Sequence, residues 1–375
     1  MVSRGNKSPS PPAGDEVEVS IFGPGYGECV VVHAGYGDWL IIDSCLEETK
    51  RPAALEYLER IGVDAASAVR LVVATHWDDD HINGLADVCE ASATAKFVCS
   101  AAMTSPQFKS ILATWRLRSF LPGGSGVDEM DAIVAGLQGR GAIRASANKV
   151  LWERANPIRA EVRALSPSEA ADVAMILRFA ESESAMGPIS KRLPNITDNH
   201  ASIVLLVVAG NTRILLGADL QVRADRNLGW FAVIDAFDST NPCELYKVAH
   251  HGSANADHDE IWAKLLRKEP LAILTPFVRG DTRLPTPADC KRIVDRTPHA
   301  YLTSLPRAGR FRDRDPRAER LMRRFTLKLE SVPCRYGHIR LRKKVTNGPD
   351  VNWGVNLSQA AIKLSEHADQ LEQLK

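Results

Sequence analysis

The chain has 375 residues, 47 Lys+Arg against 46 Asp+Glu, a formal net charge of +1, 45% hydrophobic and 25% charged residues. That composition excludes collagen-like, coiled-coil and globally disordered classes, and so small a net charge excludes a global field that gathers polyanions, leaving any nucleic-acid contact local. The longest apolar runs, such as Ile203 to Ala209, are of strand length, far below the roughly 20 residues of a membrane helix, so no membrane partner is expected. Seven Cys without a CxxC pair read as reduced thiols of a cytoplasmic protein.

Residues 1–14, with Lys7, Ser8, Pro9, Ser10, Pro11 and Pro12, read as a disordered tail. Alternation at Val17, Val19 and Ile21, then the runs Cys29 to His33 and Trp39 to Ile42, predict a meander of short strands. Ala53 to Ile61 has a helical pattern, and the buried-strand pattern Val69 to Ala74 stops at Thr75-His76, where polar residues crowd together. A helix over Ile82 to Cys89 and a strand near Lys96 to Cys99 follow. Helices near Gln107 to Leu117 and Val127 to Leu137 flank the Gly-rich loop Leu121 to Gly126, within an insertion near 100–156.

The pattern restarts with a strand at Glu161 to Leu165, a helix at Glu169 to Glu181 and a polar loop from Met186 to His200. Strands Ser202 to Val208 and Thr212 to Leu216 flank Gly210-Asn211, a tight-hairpin signal. Leu245 to Ala249 reads as a strand running into His250-His251-Gly252, followed by a helix near His258 to Leu266 and strands at Leu271 to Thr275 and Ala300 to Thr303, with a helix near Ala288 to Val294 between them. One domain of alternating strands and helices over 15–304 is therefore expected, with a basic extension over 305–375. That extension holds a hairpin (Phe325 to Glu330, His338 to Lys343) and an amphipathic helix, Leu357 to Leu374, whose face of Leu357, Ala361, Leu364, Ala368 and Leu371 would pack on the core or mediate self-association.

Chemistry concentrates in Thr75-His76-Trp77-Asp78-Asp79-Asp80-His81: two imidazoles and three carboxylates after an apolar strand supply the N and O ligands of a divalent ion and part of a second. A solvated acidic turn is the plainer alternative, and it does not account for four or more ligand types at one strand terminus. Three weaker segments repeat the placement beside an apolar strand: Asp198 to Ser202, Leu215 to Asp219 and Ala249 to Ser253. Paired histidines are common on surfaces and an Asp after a strand commonly caps a turn; the shared placement is what raises them above that reading.

These residues resemble the metallo-β-lactamase fold, whose HxHxDH signature stands here as His76-x-Asp78-x-Asp80-His81. Asp78 in place of the usual His is similar to the soluble domain of bacterial competence (DNA-uptake) channels and its free-standing relatives. The chain shares with that subgroup Gly25-Tyr26-Gly27-Glu28, Ile42-Asp43-Ser44, Asn199-His200-Ala201-Ser202-Ile203, Ala218-Asp219 and His250 to Ser253, in order. The resemblance spans about Glu16 to Thr303 and implies an α/β (α+β) four-layer αββα sandwich with two divalent metal ions, Zn²⁺ or Mn²⁺, at the strand ends.

It further implies that His76 and Asp78 serve one metal, Asp80 and His81 the other, that Asp219 bridges, and that His250 or His251 completes the second site, with His251 the one directly before glycine. Asn199 and His200 both stand where relatives place a ligand or its replacement, and Asp43 would fix a ligand tautomer from behind. Glycine in Gly217-Ala218-Asp219 sits one place earlier than in relatives, which bears on the turn that presents Asp219. Metal-activated hydroxide is suited to phosphodiesters, with Asp80, His81 and Asp219 as catalytic residues and a nucleic acid or nucleotide as substrate.

Arg307 to Arg324 and Arg340 to Lys344 would contact phosphates, Trp77 would stack on a base or pack in the core, and Ser253 and His338 would line the cleft rim. Two other classes remain open. One is a small-molecule hydrolase acting on a cyclic nucleotide, phosphocholine ester or lactone, with a closed pocket built from residues 100–156; the other is a non-catalytic interaction module.

Overall fold

The computed structural model describes residues 2–4, 10–116, 126–137, 141–185, 199–306, 337–345 and 352–366. In chain order the strands are β1 (Val2–Arg4), β2 (Glu16–Phe22), β3 (Cys29–His33), β4 (Trp39–Ile42), β5 (Val69–Val73), β6 (Lys96–Ser100), β7 (Ala142–Ala145), β8 (Val150–Arg154), β9 (Ala160–Ala164) and β10 (Leu205–Ala209). They continue with β11 (Thr212–Leu216), β12 (Cys243–Lys247), β13 (Leu266–Leu274), β14 (Phe277–Arg279), β15 (Thr282–Leu284), β16 (Ala300–Leu302), β17 (His338–Lys344), β18 (Gly354–Leu357) and β19 (Ile362–Lys363). Helices are α1 (Ala53–Arg60), α2 (Ala65–Ala68), α3 (Asp79–Ile82), α4 (Leu85–Ala91), α5 (Pro106–Arg116), α6 (Gly126–Gly136), α7 (Glu169–Ala185), α8 (Gly229–Ala236) and α9 (Pro287–Arg296).

One sheet runs β1-β18-β17-β2-β3-β4-β5-β6-β7 and the other β19-β16-β13-β12-β11-β10-β9-β8. The period-2 geometry of strands sorts their side chains into layers. In β3, Val30 and Val32 face the second sheet, where they join Val162, Leu205, Val207, Ile214 and Leu245, whereas Cys29 and Val31 face α1, α4, α5 and α7 through Tyr57, Val88, Phe108 and Phe179. The outer face of the second sheet packs Leu206, Leu215 and Tyr246 on α8 and α9 through Trp230, Val233, Cys290 and Ile293. Three apolar layers between four structural layers make the αββα sandwich. Among the described residues no helix is long and apolar enough to cross a membrane.

Several sequence expectations change. The described residues of the expected extension are woven into both sheets: β17 lies between β2 and β18, and β19 pairs with β16. Both edges of β17 are thus occupied; residues 325–330, its expected hairpin partner, lie outside the described residues. Leu357, Ala361 and Leu364 are buried, but in β18, a turn and a 3₁₀ turn, because open sheet edges offer them backbone pairing as well as burial; Ala368 and Leu371 lie outside the described residues. Val2–Arg4, within the expected disordered tail, pair parallel with Val355–Leu357. The expected helix over 82–89 is split by Gly84, whose φ of 81° ends α3 and opens α4. That near 258–266 shrinks to a single π turn, Ile261–Leu265, before β13. The insertion near 100–156 is helical only to α6, then contributes β7 and β8.

Ion pairs hold β17 on both of its faces. Lys343 Nζ, fully buried, donates to both oxygens of Glu244 at 2.8 Å, and Arg342 Nε donates to Glu18 Oε2 at 2.6 Å, with Tyr57 also on Glu18. Breaking a buried pair leaves a buried charge behind. Lys343→Ala is therefore expected to lower unfolding stability in urea by about 3 kcal/mol, at the lower end for such pairs because Arg267 stays 3.2 Å from Glu244. Burial also holds the His33 imidazole down to about 4 from 6.5. The folded form is the neutral one, so its contribution is complete above about pH 6.5 and falls as pH drops toward 4, by ~3 kcal/mol. Urea unfolding across that range should lose stability, and the slope should flatten in His33→Gln.

Candidate metal centre

Parallel pairing of β4 with β5, and of β12 with both β11 and β13, brings strand ends side by side. The residues just beyond them form one cluster: Asp43 after β4, Thr75 and His76 after β5, Ala218 and Asp219 after β11, His250 and His251 after β12 and Thr275 after β13. Backbone bonds pin the motif between sheets, with Glu28 N–H donating to Asp80 O at 2.8 Å, Ser44 N–H to His81 O at 2.6 Å and Ile203 N–H to Thr75 O at 3.0 Å. Asp43, Ala218, His250 and His251 all adopt positive φ, 59°, 45°, 47° and 53°, a conformation non-glycine residues hold only where the surroundings enforce it. Gly217 allows this close approach, since a Cβ there would meet Lys247 O at 2.9 Å. Ala218 thus supplies the left-handed turn itself, and Asp219 still reaches the cluster.

Each histidine is gripped by Nδ1 and presents Nε2. His81 Nδ1 donates to Asp43 Oδ2 at 2.8 Å; Thr75 Oγ1 donates to the same oxygen at 2.7 Å and accepts from His76 Nδ1 at 2.9 Å. His251 Nδ1 donates to Thr275 O and Oγ1, each at 3.2 Å, and His250 Nδ1 donates to Asn255 Oδ1 at 2.9 Å. These bonds set the tautomer that leaves Nε2 a lone pair. His81 Nε2 then faces Asp219 Oδ1 at 3.3 Å and Asp80 Oδ2 at 3.5 Å, and His251 Nε2 faces Asp80 Oδ2 at 3.2 Å and Asp219 Oδ2 at 3.7 Å. His250 Nε2 lies 3.8 Å from Asp219 Oδ2, and His76 Nε2 lies 3.9 Å from Asp78 Oδ2.

The buried atoms His76 Nε2, His81 Nε2 and Asp219 Oδ1 have no hydrogen-bond partner, which costs free energy unless something else satisfies them. Two ligands bound at roughly 2.0–2.2 Å in tetrahedral array stand roughly 3.3–3.6 Å apart, which matches the 3.3 and 3.5 Å that separate His81 Nε2 from Asp219 Oδ1 and Asp80 Oδ2. The set fits a divalent cation. Electrostatics agree: despite opposing burial, Asp219, Asp80, Glu28 and Asp43 hold the His81 pKa well above its usual value, and Asp80 sits at about 2 beside His81 and His251. Burial, then Asp80, pushes Asp78 up to about 7, and burial drives His76 down to about 3. A field that favours imidazolium in this way also favours a dication.

Of the sequence candidates, the structure gathers His76, Asp78, Asp80, His81, Asp219, His250 and His251, with Asp43 behind them. His200 is buried on the 3₁₀ turn Asn199–Ala201, outside the His and carboxylate groups that converge within 4.8 Å, and Asn199 borders a small cavity beside His76 and Trp77. Trp77 packs edge-on against Phe108 and Phe179, with ring centroids 5.1 and 5.5 Å away, in the core manner. Ser253 closes the histidine turn through its N–H to His250 O. His338 stacks on Phe22 at 4.3 Å with Nε2 buried, so it is a packing residue of β17 and not part of a cleft rim. Sequence reading gave no role to Thr75, Thr275, Asn255 or Lys247. The recurring pattern of an apolar strand closing on threonine, in Val69–Thr75 and Leu271–Thr275, was the signal available.

Beside the cluster opens a cavity of about 640 Å³ lined by Tyr26, Asp79, Asp87, Asp128, Glu129 and Arg279, among others. Its far wall is α6, docked on the motif where Gly126 N–H donates to Asp79 Oδ1; any side chain at Gly126 would strike Trp77 O.

The sequence matched no curated protein. Among solved structures it is similar to the metallo-beta-lactamase fold protein YhfI from Bacillus subtilis (13% identity, 77% of this chain and 95% of that one, TM-score 0.39). It is similar too to MEM-A1, a subclass B3 metallo-beta-lactamase from a soil metagenome library (13% identity, 66% and 81%, TM-score 0.35), and to Zn²⁺-bound PqqB from Methylobacterium extorquens (11% identity, 60% and 58%, TM-score 0.28). The family whose description reads Metallo-beta-lactamase superfamily matches residues 22–276, most of the chain, and on that match the chain belongs to the metallo-beta-lactamase superfamily.

Proposed function

We propose that the protein is a metal-dependent phosphodiesterase that holds two divalent ions, Zn²⁺ or Mn²⁺. The observation that carries this reading is the convergence of the unpartnered His76 Nε2, His81 Nε2 and Asp219 Oδ1 with Asp78 and Asp80. His76 and Asp78 would hold one ion, Asp80, His81 and His251 or His250 the other, and Asp219 would reach both. Such ions supply hydroxide near neutral pH and balance charge on the attacking and leaving oxygens of an in-line displacement. The chain's own part is to hold each imidazole in one tautomer and keep the carboxylates dry. Oxygen-rich ligation beside imidazole suits manganese as well as zinc.

For substrate size, a small phosphodiester is favoured over a nucleic-acid polymer by the partly open cavity that α6, Tyr26 and Asp79 bound next to the motif. The polymer reading rests on basic residues: those of 307–324 lie outside the described residues, and Arg342 and Lys343 are spent on Glu18 and Glu244.

Turnover of bis-p-nitrophenyl phosphate in Mn²⁺ or Zn²⁺ is expected, to be lost on chelation, and to fall by more than ~100-fold in Asp80→Ala with the thermal transition kept within a few degrees. Unchanged turnover in Asp80→Ala would sink the assignment. Ala132→Trp, which fills the cavity from the α6 side, should raise KM for the small ester about 10-fold; an unaltered KM together with cleavage of single-stranded DNA or RNA restores the polymer reading.

A further inference from the structure

Glu28 and Lys247 form a buried ion pair in direct contact, 2% and 1% exposed, on the side of the cluster away from the converging Nε2 atoms. Glu28 belongs to a set with His81, Asp219 and His251 whose potential ligand atoms lie within 4.8 Å of one another, so it qualifies by distance as a ligand. Direction argues otherwise. Glu28 Oε1 and Oε2 approach the histidines at Nδ1, 3.9 Å from that of His81 and 3.6 Å from that of His251, whereas the unpartnered atoms are Nε2 and Asp219 Oδ1. Glu28 Oε2 is moreover filled, accepting Thr275 Oγ1–H at 2.5 Å and Lys247 Nζ.

The arrangement duplicates the one behind His76. There Asp43 Oδ2 accepts from Thr75 Oγ1, which accepts from His76 Nδ1; here Glu28 Oε2 accepts from Thr275 Oγ1, which accepts from His251 Nδ1. In both cases a threonine hydroxyl, donating one way and accepting the other, relays a carboxylate to the far nitrogen of an imidazole. The two relays stand on different sheets, one after β5 and one after β13. They differ in charge balance, since Asp43 also takes His81 Nδ1 directly whereas Glu28 is balanced by Lys247.

The geometry points to Glu28 as a positioning residue that acts through Thr275 on His251, with Lys247 as its buried counter-ion. It makes His251 the more strongly directed of the two adjacent histidines, since His250 Nδ1 meets neutral amides, those of Asn255 and Gln221, and no carboxylate relay. This inference rests on the metal-binding reading above. Carboxylates placed behind a ligand histidine fix its ring and raise its basicity, and removing them costs metal affinity without removing a ligand.

Zn²⁺ titration of the full chain against a chromophoric chelator tests this without reference to turnover. Thr275→Val removes the relay hydroxyl at nearly constant volume and should weaken binding 10–100-fold with the number of ions bound per chain unchanged. Thr275→Ser, which keeps the hydroxyl, should stay near the wild-type affinity. Equal affinity in Thr275→Val and wild type overturns the relay, and loss of one bound ion in Glu28→Gln makes Glu28 a ligand and overturns it too. Should Thr275→Val lose its thermal transition, the double variant Glu28→Gln/Lys247→Met removes both charges together and carries the same expectation, with wild-type affinity again overturning the relay. A wild-type chain that binds no Zn²⁺ or Mn²⁺ would instead overturn the metal-binding reading itself.

Discussion

Carboxylates cost the most to bury when their neighbours leave them unpaired, and this protein buries Glu28, Asp43, Asp80 and Asp219 at one end of its two-sheet interface. That is tolerable because Glu28 and Asp43 meet specific partners, while Asp80 and Asp219 face the imidazoles of the cluster. Asp43 is met by Thr75 and His81, Glu28 by Lys247 and Thr275, Asp80 by His251, and Asp219 by the field of His81, His251 and His250. The strand ends must therefore sit in one register: slipping β5 by a residue would turn Leu71 and Val73 out of the inter-sheet layer and take Thr75 away from Asp43. The apolar core and the polar cluster thus impose the same pairing.

Backbone strain follows from that demand. Positive φ at Asp43, Ala218, His250 and His251 costs on the order of 1–3 kcal/mol each, and all four residues stand where a strand must turn sharply to aim a side chain into the cluster. The consecutive left-handed residues His250 and His251 fold back into a 3₁₀ turn closed by Ser253 N–H to His250 O. Both rings are thereby presented to Asp219 from one strand end. Ala218 bears the cost that glycine would avoid, and the neighbouring Gly217 is the residue that cannot take a side chain.

Most of the fold and the signature cluster were legible because both depend on short-range pattern. Alternation in β2 and β3, the Gly210-Asn211 hairpin and the six-residue motif each carry their meaning within a few residues. What was not legible is long-range. That β17 inserts beside β2, and that Leu357 and Leu364 are sheet-edge residues and not one helix face, depends on which edges are open, a property of the assembled sandwich. His338 illustrates the same point, since its ring is claimed by Phe22 and Tyr57, partners some 280 or more positions away in sequence. Lys247 was read as part of an apolar strand, and only the crossing of Glu28 from the other sheet shows why a lysine can stand there.

The late strands also govern the centre itself. The loop that delivers Tyr26 to the cavity and Glu28 to Lys247 leaves β2 at Phe22, and β2 is held along its whole length by β17. At the first residue of that loop, Gly23 N–H donates to Gly337 O, while Thr303 Oγ1 and Ser304 Oγ donate to Gly23 O at 3.0 and 3.1 Å. A Cβ at Gly23 would lie 2.5 Å from Thr303 Oγ1 and 2.8 Å from Thr275 Cγ2, so the loop passes directly against the threonine that relays Glu28 to His251. The C-terminal strand, the junction after β16 and the relay residue of β13 therefore meet at a single backbone crossing. Residues 337–344 are for this reason part of the centre's support and not an appendage to it, and the glycine at 23 is the point through which they act.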